Sequence, residues 1–318
     1  MTHTIRTAVI GVGYLGKFHA EKYASLPQAS LVAVVDTHAL AREEIAKKHQ
    51  TTALTHYQDL LGKVDAVSIV TPTPLHFPIA QFFLEHGVHV LIEKPITQTP
   101  AEAEILIQLA QQRGCLLQVG HIERFNPALA GLQPWLHQPR FIESHRLTPF
   151  KLRGTDVNVV LDLMIHDIDI IQSLIPAPIH HIDATGASIL SGEIDVANAR
   201  IEFTNGCVAS VTASRVSTQT KRLMNIFQEE SALSLDFQQA SLSICKKGAF
   251  NPTSGISEIL REEFVFEHKD ALLAEINAFL LAIAHNTPPL VSGQEGKRAL
   301  ETAIYISSLV QKPIPALA

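Results

Sequence analysis

The sequence predicts an α/β protein of two domains: a doubly wound parallel sheet over residues 1–120, then an α+β domain on an open antiparallel sheet over residues 121–318. Three observations predict it. Short, continuous apolar runs such as AVSIV and VLI alternate with helical patterns through the first third, as parallel strands covered on both faces require. After Gly120 the period becomes two, with apolar and polar residues alternating in VANARIEF, the pattern of a strand with one buried face. The length of 318 residues suits about two domains of roughly 150 residues each.

In the first domain, residues 7–13 read as a strand, 14–26 as a helix, 31–36 as a strand and 38–49 as a helix. Strands follow over 65–71, 88–93 and 116–120, separated by helices over 74–86 and 100–113. The second domain begins with Asn126-Pro127, an N-cap followed by proline at the first helical position. In VANARIEF, Ala197, Ala199, Ile201 and Phe203 take one face; Asn198, Arg200 and Glu202 take the other. Thr204-Asn205-Gly206 supplies a hairpin turn into CVASVTASRV. Leu233, Leu235 and Phe237 repeat the alternation, and helices over 270–284 and 292–310 close the chain.

The net charge of −6 argues against a dedicated nucleic-acid binder, which carries a basic face. Three scattered cysteines, Cys115, Cys207 and Cys245, form no CxxC pair, so they support neither a disulfide framework nor a cysteine zinc site and fit a reducing compartment. No signal peptide precedes the first strand, and no apolar run reaches the roughly 18 residues of a membrane span. A cytoplasmic protein is expected.

AVIGVGYLG places Gly11, Gly13 and Gly16 as G-x-G-x-x-G between the first strand and the first helix. Asp36 lies 20 residues after Gly16, at the end of the second strand, where an acid would bond the ribose hydroxyls of a dinucleotide. The glycines allow a tight turn and a close approach of pyrophosphate to the helix N-terminus. A carboxylate repels a 2′-phosphate, so Asp36 favours NAD over NADP. The alternative for Asp36 is a helix N-cap. Two further loops follow strand ends: TPTPLH over residues 71–76, and Glu93-Lys94-Pro95. An ammonium at such an edge could bind a substrate hydroxyl or lose a proton when desolvated; the alternative is a surface Glu–Lys pair.

These features together resemble the Gfo/Idh/MocA oxidoreductases. The resemblance is carried by the glycine fingerprint, Thr71-Pro72 with His76, Glu93-Lys94-Pro95, and Asp162-x-x-x-His166, and it covers essentially the whole chain. It implies an N-terminal Rossmann domain and a C-terminal domain on a large, mostly antiparallel sheet. It also implies hydride transfer at a sugar or cyclitol carbon, and a homodimer or homotetramer assembled through the exposed sheet. NAD is the expected cofactor, with Tyr14, Leu15, Thr71, Pro72, His76, Glu93 and Lys94 joining the glycines and Asp36 around it. VGHIERFNP, residues 119–127, resembles the corresponding stretch of family members that oxidise the 3-hydroxyl of UDP-N-acetylglucosamine. A PLP aminotransferase follows those members, and the wording VLDLMIHDIDI is closest to the branch that feeds diamino sugar to lipid A. An inositol or other sugar dehydrogenase is the alternative within the family. A non-catalytic dinucleotide sensor is the alternative outside catalysis.

VVLDLMIHDIDI, residues 159–170, sets three aspartates and a histidine in an apolar run. If 162–175 is helical, Asp162, His166, Asp169 and Ser173 share one stripe. Asp167 falls among the apolar positions and needs a cationic or backbone partner. The resemblance makes His166 the proton acceptor, a role suited to imidazole. It makes Asp162 the residue that orients substrate or ring, and Lys94 the group that binds the reacting hydroxyl. The base could equally be Lys94. A solvent-facing polar stripe and a metal chelate are the other readings of Asp162 and His166; no third ligand is suggested, and no metal is expected. Met164 stands where many members have glycine.

Arg140, His145, Arg146, Lys151 and Arg153 form a segment with Glu143 its only acid, which reads either as a pyrophosphate site or as a solvated basic loop. Arg153 is expected at the substrate as part of that segment; by resemblance, Arg124 and Asn126 are expected there too, Asn126 also as an N-cap. His121 could meet sugar or cofactor, or be a satisfied core histidine. His19, on the first helix, is expected to be structural.

Overall fold

Six short apolar runs pair side by side into a parallel sheet in the computed structural model of the chain, which describes residues 4–151, 157–253 and 255–311. The strands are β1 (Ile5–Ile10), β2 (Ala29–Val35), β3 (Thr52–Leu54), β4 (Ala66–Ile69), β5 (His89–Glu93) and β6 (Leu117–Gly120), ordered β3-β2-β1-β4-β5-β6. Helices α1 (Gly16–Ser25), α2 (Ala39–His49), α3 (His76–Glu85) and α4 (Pro100–Arg113) connect them. Every residue of β4 and β6 is buried, which is why these strands read as unbroken apolar runs. Three-residue β3 carries no such run and was not anticipated. Helix α4 shows how local chemistry sets an element's ends. Thr99 and Glu102 form a reciprocal capping box around Pro100, and Gly114 closes the helix in the left-handed region.

The strand order reverses between β1 and β4. In an open α/β sheet, this is where loops at the carboxyl ends of strands diverge and leave a crevice.

The first compact unit comprises residues up to Phe125 together with Asp270–Leu300; the second comprises Asn126–Lys269 and the residues from Glu301 onward. The second unit thus starts a few residues after the expected 121 and leaves the internal segment Asp270–Leu300 to the first unit, and the reason is apolar surface on the first sheet. Helix α7 (Ala271–His285) places Leu272, Ile276 and Phe279 in one cluster with Val9, Val34 and Leu91. The backbone before α8 (Gly293–Val310) covers edge strand β6, where Val119 N–H donates to the Val291 carbonyl at 3.0 Å, so β6 offers no open ladder.

The second unit is an eight-stranded sheet. Its strands are β7 (Pro139–Leu147), β8 (Ile179–Ala187), β9 (Val196–Phe203), β10 (Val208–Ser214), β11 (Lys221–Gln228), β12 (Ser231–Asp236), β13 (Ser241–Asn251) and β14 (Ile256–Val265). The order is β14-β13-β12-β11-β7-β10-β9-β8. All pairs are antiparallel except β7 with β10. Ala197, Ala199, Ile201, Phe203, Leu233 and Leu235 are buried, as their alternation predicts. The hairpin between β9 and β10 turns at Gly206, φ +83°.

Helix α6 (Ile165–Leu174) packs against β7 and β10 on the covered face. There Asp167 finds its partner. Arg146 Nε donates to Asp167 Oδ2 at 2.6 Å, Arg146 Nη2 to Oδ1 at 3.2 Å, and Ser144 Oγ to Oδ1 at 2.9 Å. Strand alternation sends Ser144 and Arg146 inward, while His145 pairs with Glu143 at 3.3 Å and Arg140 is exposed. The proposed basic cluster is thus split between two faces of β7, and Arg146 is withdrawn from any pyrophosphate role. Lys151 is exposed; Arg153 lies outside the described residues.

Removing one partner of a buried pair strands the other charge. Asp167→Asn is expected to cost about 3–5 kcal/mol in urea unfolding, and the double replacement Arg146→Met with Asp167→Leu markedly less.

Candidate active site

β1 ends at Ile10, and the chain turns through Gly11 at φ +85°. A Cβ on Gly11 would stand 2.7 Å from the Val70 carbonyl oxygen, and one on Gly16 1.8 Å from the Gly11 carbonyl oxygen. These two glycines let β1, β4 and α1 converge. Gly13 differs: a Cβ there would meet nothing within 4 Å.

Asp36 follows the end of β2. Its Oδ2 accepts from Val12 N–H and its Oδ1 from His38 N–H, both at 2.8 Å. Each oxygen keeps a lone pair for a further donor. Residue 38, not 36, caps α2: His38 Nδ1 accepts from Ala41 N–H. Arg42 donates to the carbonyls of Asp36 and Thr37 at 3.2 and 3.4 Å.

Gly11, Gly13, Asp36, Thr71 and Pro72 line a cavity of about 410 Å³, closed on another side by Thr55, His56, Tyr57 and Gln58. Thr71 Oγ1 is buried there without a hydrogen-bond partner among the described residues. Tyr14, 65% exposed, and Leu15 stand at the start of α1, with Lys17 Nζ 5.6 Å from the Tyr14 ring centroid.

His76 is buried, outside the lining of that cavity. Its Nδ1 lies 2.9 Å from the Pro95 carbonyl and its Nε2 2.9 Å from the Thr71 carbonyl. It therefore ties together the two loops expected at the cofactor. Burial pushes its pKa down while the two carbonyls oppose that shift. His76 thus fixes the two loops relative to each other.

After β5, the Glu93 carboxylate lies over Gly120, where a Cβ would approach it to 2.9 Å. Glu93 Oε1 is 3.1 Å from His19 Nε2, and Oε2 accepts from Lys94 N–H at 3.3 Å. The Lys94-Pro95 peptide is cis. Lys94 is half-buried and His121 buried. Arg124 pairs with Glu295 at 3.1 Å.

In the second unit, Asn158 Oδ1 accepts from the N–H groups of Val160 and Leu161, capping the segment that carries Asp162. Arg215 secures the approach: it donates to the Val157 carbonyl at 2.6 Å and pairs with buried Asp195 at 2.8 Å. Val160–Met164 forms a π turn ahead of α6. The uniform α-helical stripe is thus corrected: the wider turn offsets Asp162 from the α register that His166, Asp169 and Ser173 share. Asp162 and His166 are half-buried, Asp169 is buried and Ser173 exposed. Asn126 caps α5 (Pro127–Leu132), accepting from Ala128 N–H at 3.0 Å and donating to the Phe237 carbonyl at 2.9 Å. Both ends of its carboxamide are thus engaged by the fold.

Residues 5–121 match the oxidoreductase family with NAD-binding Rossmann fold of the Gfo/Idh/MocA group, and residues 134–234 match that group's C-terminal domain. The UDP-N-acetylglucosamine 3-dehydrogenase of Acidithiobacillus ferrooxidans is 42% identical over 96% of this chain and 97% of its own length. The chain is a Gfo/Idh/MocA oxidoreductase. A solved structure of that A. ferrooxidans enzyme superposes on this oxidoreductase with a TM-score of 0.90 at 40% identity, covering 98% of this chain and 99% of the other. The scyllo-inositol 2-dehydrogenase (NAD(+)) of Bacillus subtilis is 25% identical over 99% of this chain and 96% of its length.

The first unit of this Gfo/Idh/MocA oxidoreductase fits the family's NAD: Gly13 leaves open space, Thr71 Oγ1 lacks a partner among the described residues, and Asp36 retains acceptor capacity. Two features leave no mark in the sequence. The wall from Thr55 to Gln58 follows a strand too short to register, and nothing local marks it. His19 was read as structural without its partner, Glu93, which only strand order brings near.

The glycines separate binding from folding. Gly13→Ala is expected to keep the melting temperature but weaken NAD binding by roughly ten- to a hundredfold in calorimetry. Gly16→Ala is expected to lower the melting temperature itself.

Proposed function

We propose that this oxidoreductase converts the 3-hydroxyl of UDP-N-acetylglucosamine to the 3-keto sugar nucleotide. The observation that carries the reading is the 42% identity to the A. ferrooxidans 3-dehydrogenase, which runs over 96% of the chain and so over both units. NAD, when bound, supplies the hydride acceptor. His166 takes the hydroxyl proton, which its imidazole can accept near neutral pH. Asp162 orients the ring or the sugar. Lys94 holds the hydroxyl oxygen and stabilises negative charge that develops on it. Arg124 and Asn126 are assigned to the nucleotide sugar by resemblance, both also serving the fold, and His121, directly after β6, is assigned to sugar or cofactor by its position.

The same reading places the protein in the cytoplasm, ahead of a PLP aminotransferase that consumes the ketone for lipid A diamino sugar. It also makes it a homo-oligomer through the open sheet face. Stacked Phe141 and Phe227, with ring centroids 5.8 Å apart, and exposed Ile259 and Val265 support that last point. An inositol dehydrogenase is the second reading, supported by 25% identity to the B. subtilis enzyme.

NADH absorbance with a panel of UDP-sugars and inositols, coupled to an aminotransferase that removes ketone, separates the two. UDP-N-acetylglucosamine is expected to give NADH; inositol turnover without it would replace the assignment. Lys94→Ala and His166→Asn are each expected to lower turnover by about 10²–10⁴-fold, His166→Asn with NAD binding unchanged in calorimetry.

A further inference from the structure

Glu275 is an ionisable group that the proposed chemistry leaves unused. It lies on α7 with 0% exposure, and neither carboxyl oxygen has a hydrogen-bond partner among the described residues. Its helix packs on α1 and on the turn Ile122–Phe125, and its neighbours Leu272, Ile276 and Phe279 belong to an apolar cluster.

The ionisable groups on the elements packed around it are Lys17, His19, Glu21, Lys22 and Tyr23 of α1, His89 and Glu93 of β5, and His121, Glu123 and Arg124 after β6. Lys17 is exposed over the Phe18 ring, and His89 accepts from Leu116 N–H. Lys22 and Arg124 have other carboxylates: Lys22 meets Glu21 and Asp270 at 2.8 and 2.9 Å, and Arg124 meets Glu295. Tyr23 bonds Ser68 at 2.8 Å. His19 is spent on Glu93 through Nε2, while its buried Nδ1 has no partner among the described residues. An unpaired carboxylate in such a site is far costlier than the protonated acid. Burial pushes the Glu275 carboxyl well above the usual carboxylate range, and the charge of Glu93 pushes it further.

We propose that Glu275 is a proton-bearing carboxylic acid that shares one negative charge with Glu93 and, through Glu93 and His19, positions the Lys94 turn. Glu93 carries the charge and uses its two oxygens on His19 Nε2 and the Lys94 amide. Glu275 stays neutral behind it. Ionising Glu275 would place two like charges in one dry space, and displacing Glu93 relieves them at the expense of the Lys94 amide contact. The proposal rests on the reading that Lys94 serves the reaction.

A carboxyl raised in the folded state stabilises fully below its unfolded pKa, and that contribution is lost as pH rises through the folded value. Glu275→Gln keeps the shape and cannot ionise. The unfolding constant of the wild type divided by that of Glu275→Gln should therefore rise about tenfold per pH unit above the usual carboxylate range, until the folded protein itself releases the proton. A flat ratio overturns the proposal. In infrared difference spectra taken just above the usual carboxylate range, the wild type should show a protonated-carboxyl carbonyl band that Glu275→Gln lacks. A carboxylate signature there overturns it too, and an infrared pH titration of the wild type alone decides the point if the variant does not accumulate.

Calorimetric NAD affinity tests the positioning role without substrate. It should weaken at alkaline pH in the wild type and not in Glu275→Gln; parallel pH curves overturn that role. Failure of UDP-N-acetylglucosamine to yield NADH while these results stand would overturn the substrate assignment and leave Glu275 intact.

Discussion

Inside the second unit, Arg146 and Asp167 meet at 2.6 Å with side chains 4% and 2% exposed. An apolar helix face alone would tolerate rotation against an apolar sheet. A buried ion pair does not, because turning α6 would strand two charges away from water. The pair therefore fixes which side of α6 faces β7, and with it the direction taken by His166. Asp195 and Arg215 fix the other end of the same segment: three consecutive N–H groups, from Ile189 to Ser191, bond the Asp195 carboxylate while Arg215 holds the Val157 carbonyl. Residues placed by charge thus flank the stretch that bears Asp162.

The first unit meets the same constraint without a full complement of cations. Glu93 has one imidazole and one backbone amide, and Glu275 has neither. Glu93 precedes Lys94 at the carboxyl end of β5, the end of the strands where open α/β sheets take their ligands. Elsewhere in this unit, glycine does the positioning: absent side chains at Gly11 and Gly16 bring strand and helix together, and at Gly13 leave room.

Much of this was legible in the sequence because it follows from periodicity and local chemistry. The apolar runs became β1, β2, β4, β5 and β6; the alternation in VANARIEF became β9 with its four predicted residues buried. Asn126 capped its helix as its place before a proline implied. What the pattern cannot carry is the identity of a residue's neighbour. Arg146 read as one of a basic run because alternation shows that it points inward only once β7 is known to be a strand. Asp167 was recognisable as misplaced, but its partner lies 21 residues upstream. The π turn escaped because the wheel assumes one pitch throughout. Glu275 is the only acidic residue of α7, and the helical pattern alone does not tell that its face is the one buried against the first sheet.

The division of the first unit between residues up to Phe125 and Asp270–Leu300 bears on how the protein is made. A ribosome releases the six parallel strands long before α7 exists. During that interval the apolar surface later covered by Leu272, Ile276 and Phe279 faces water, and edge strand β6 lacks the backbone that shields it. The second unit, by contrast, is nearly complete before α7 emerges. The nucleotide-binding half is begun first and finished late, so nascent chains pass through a stage with an exposed sheet edge, the kind of surface on which chaperones act and aggregation begins.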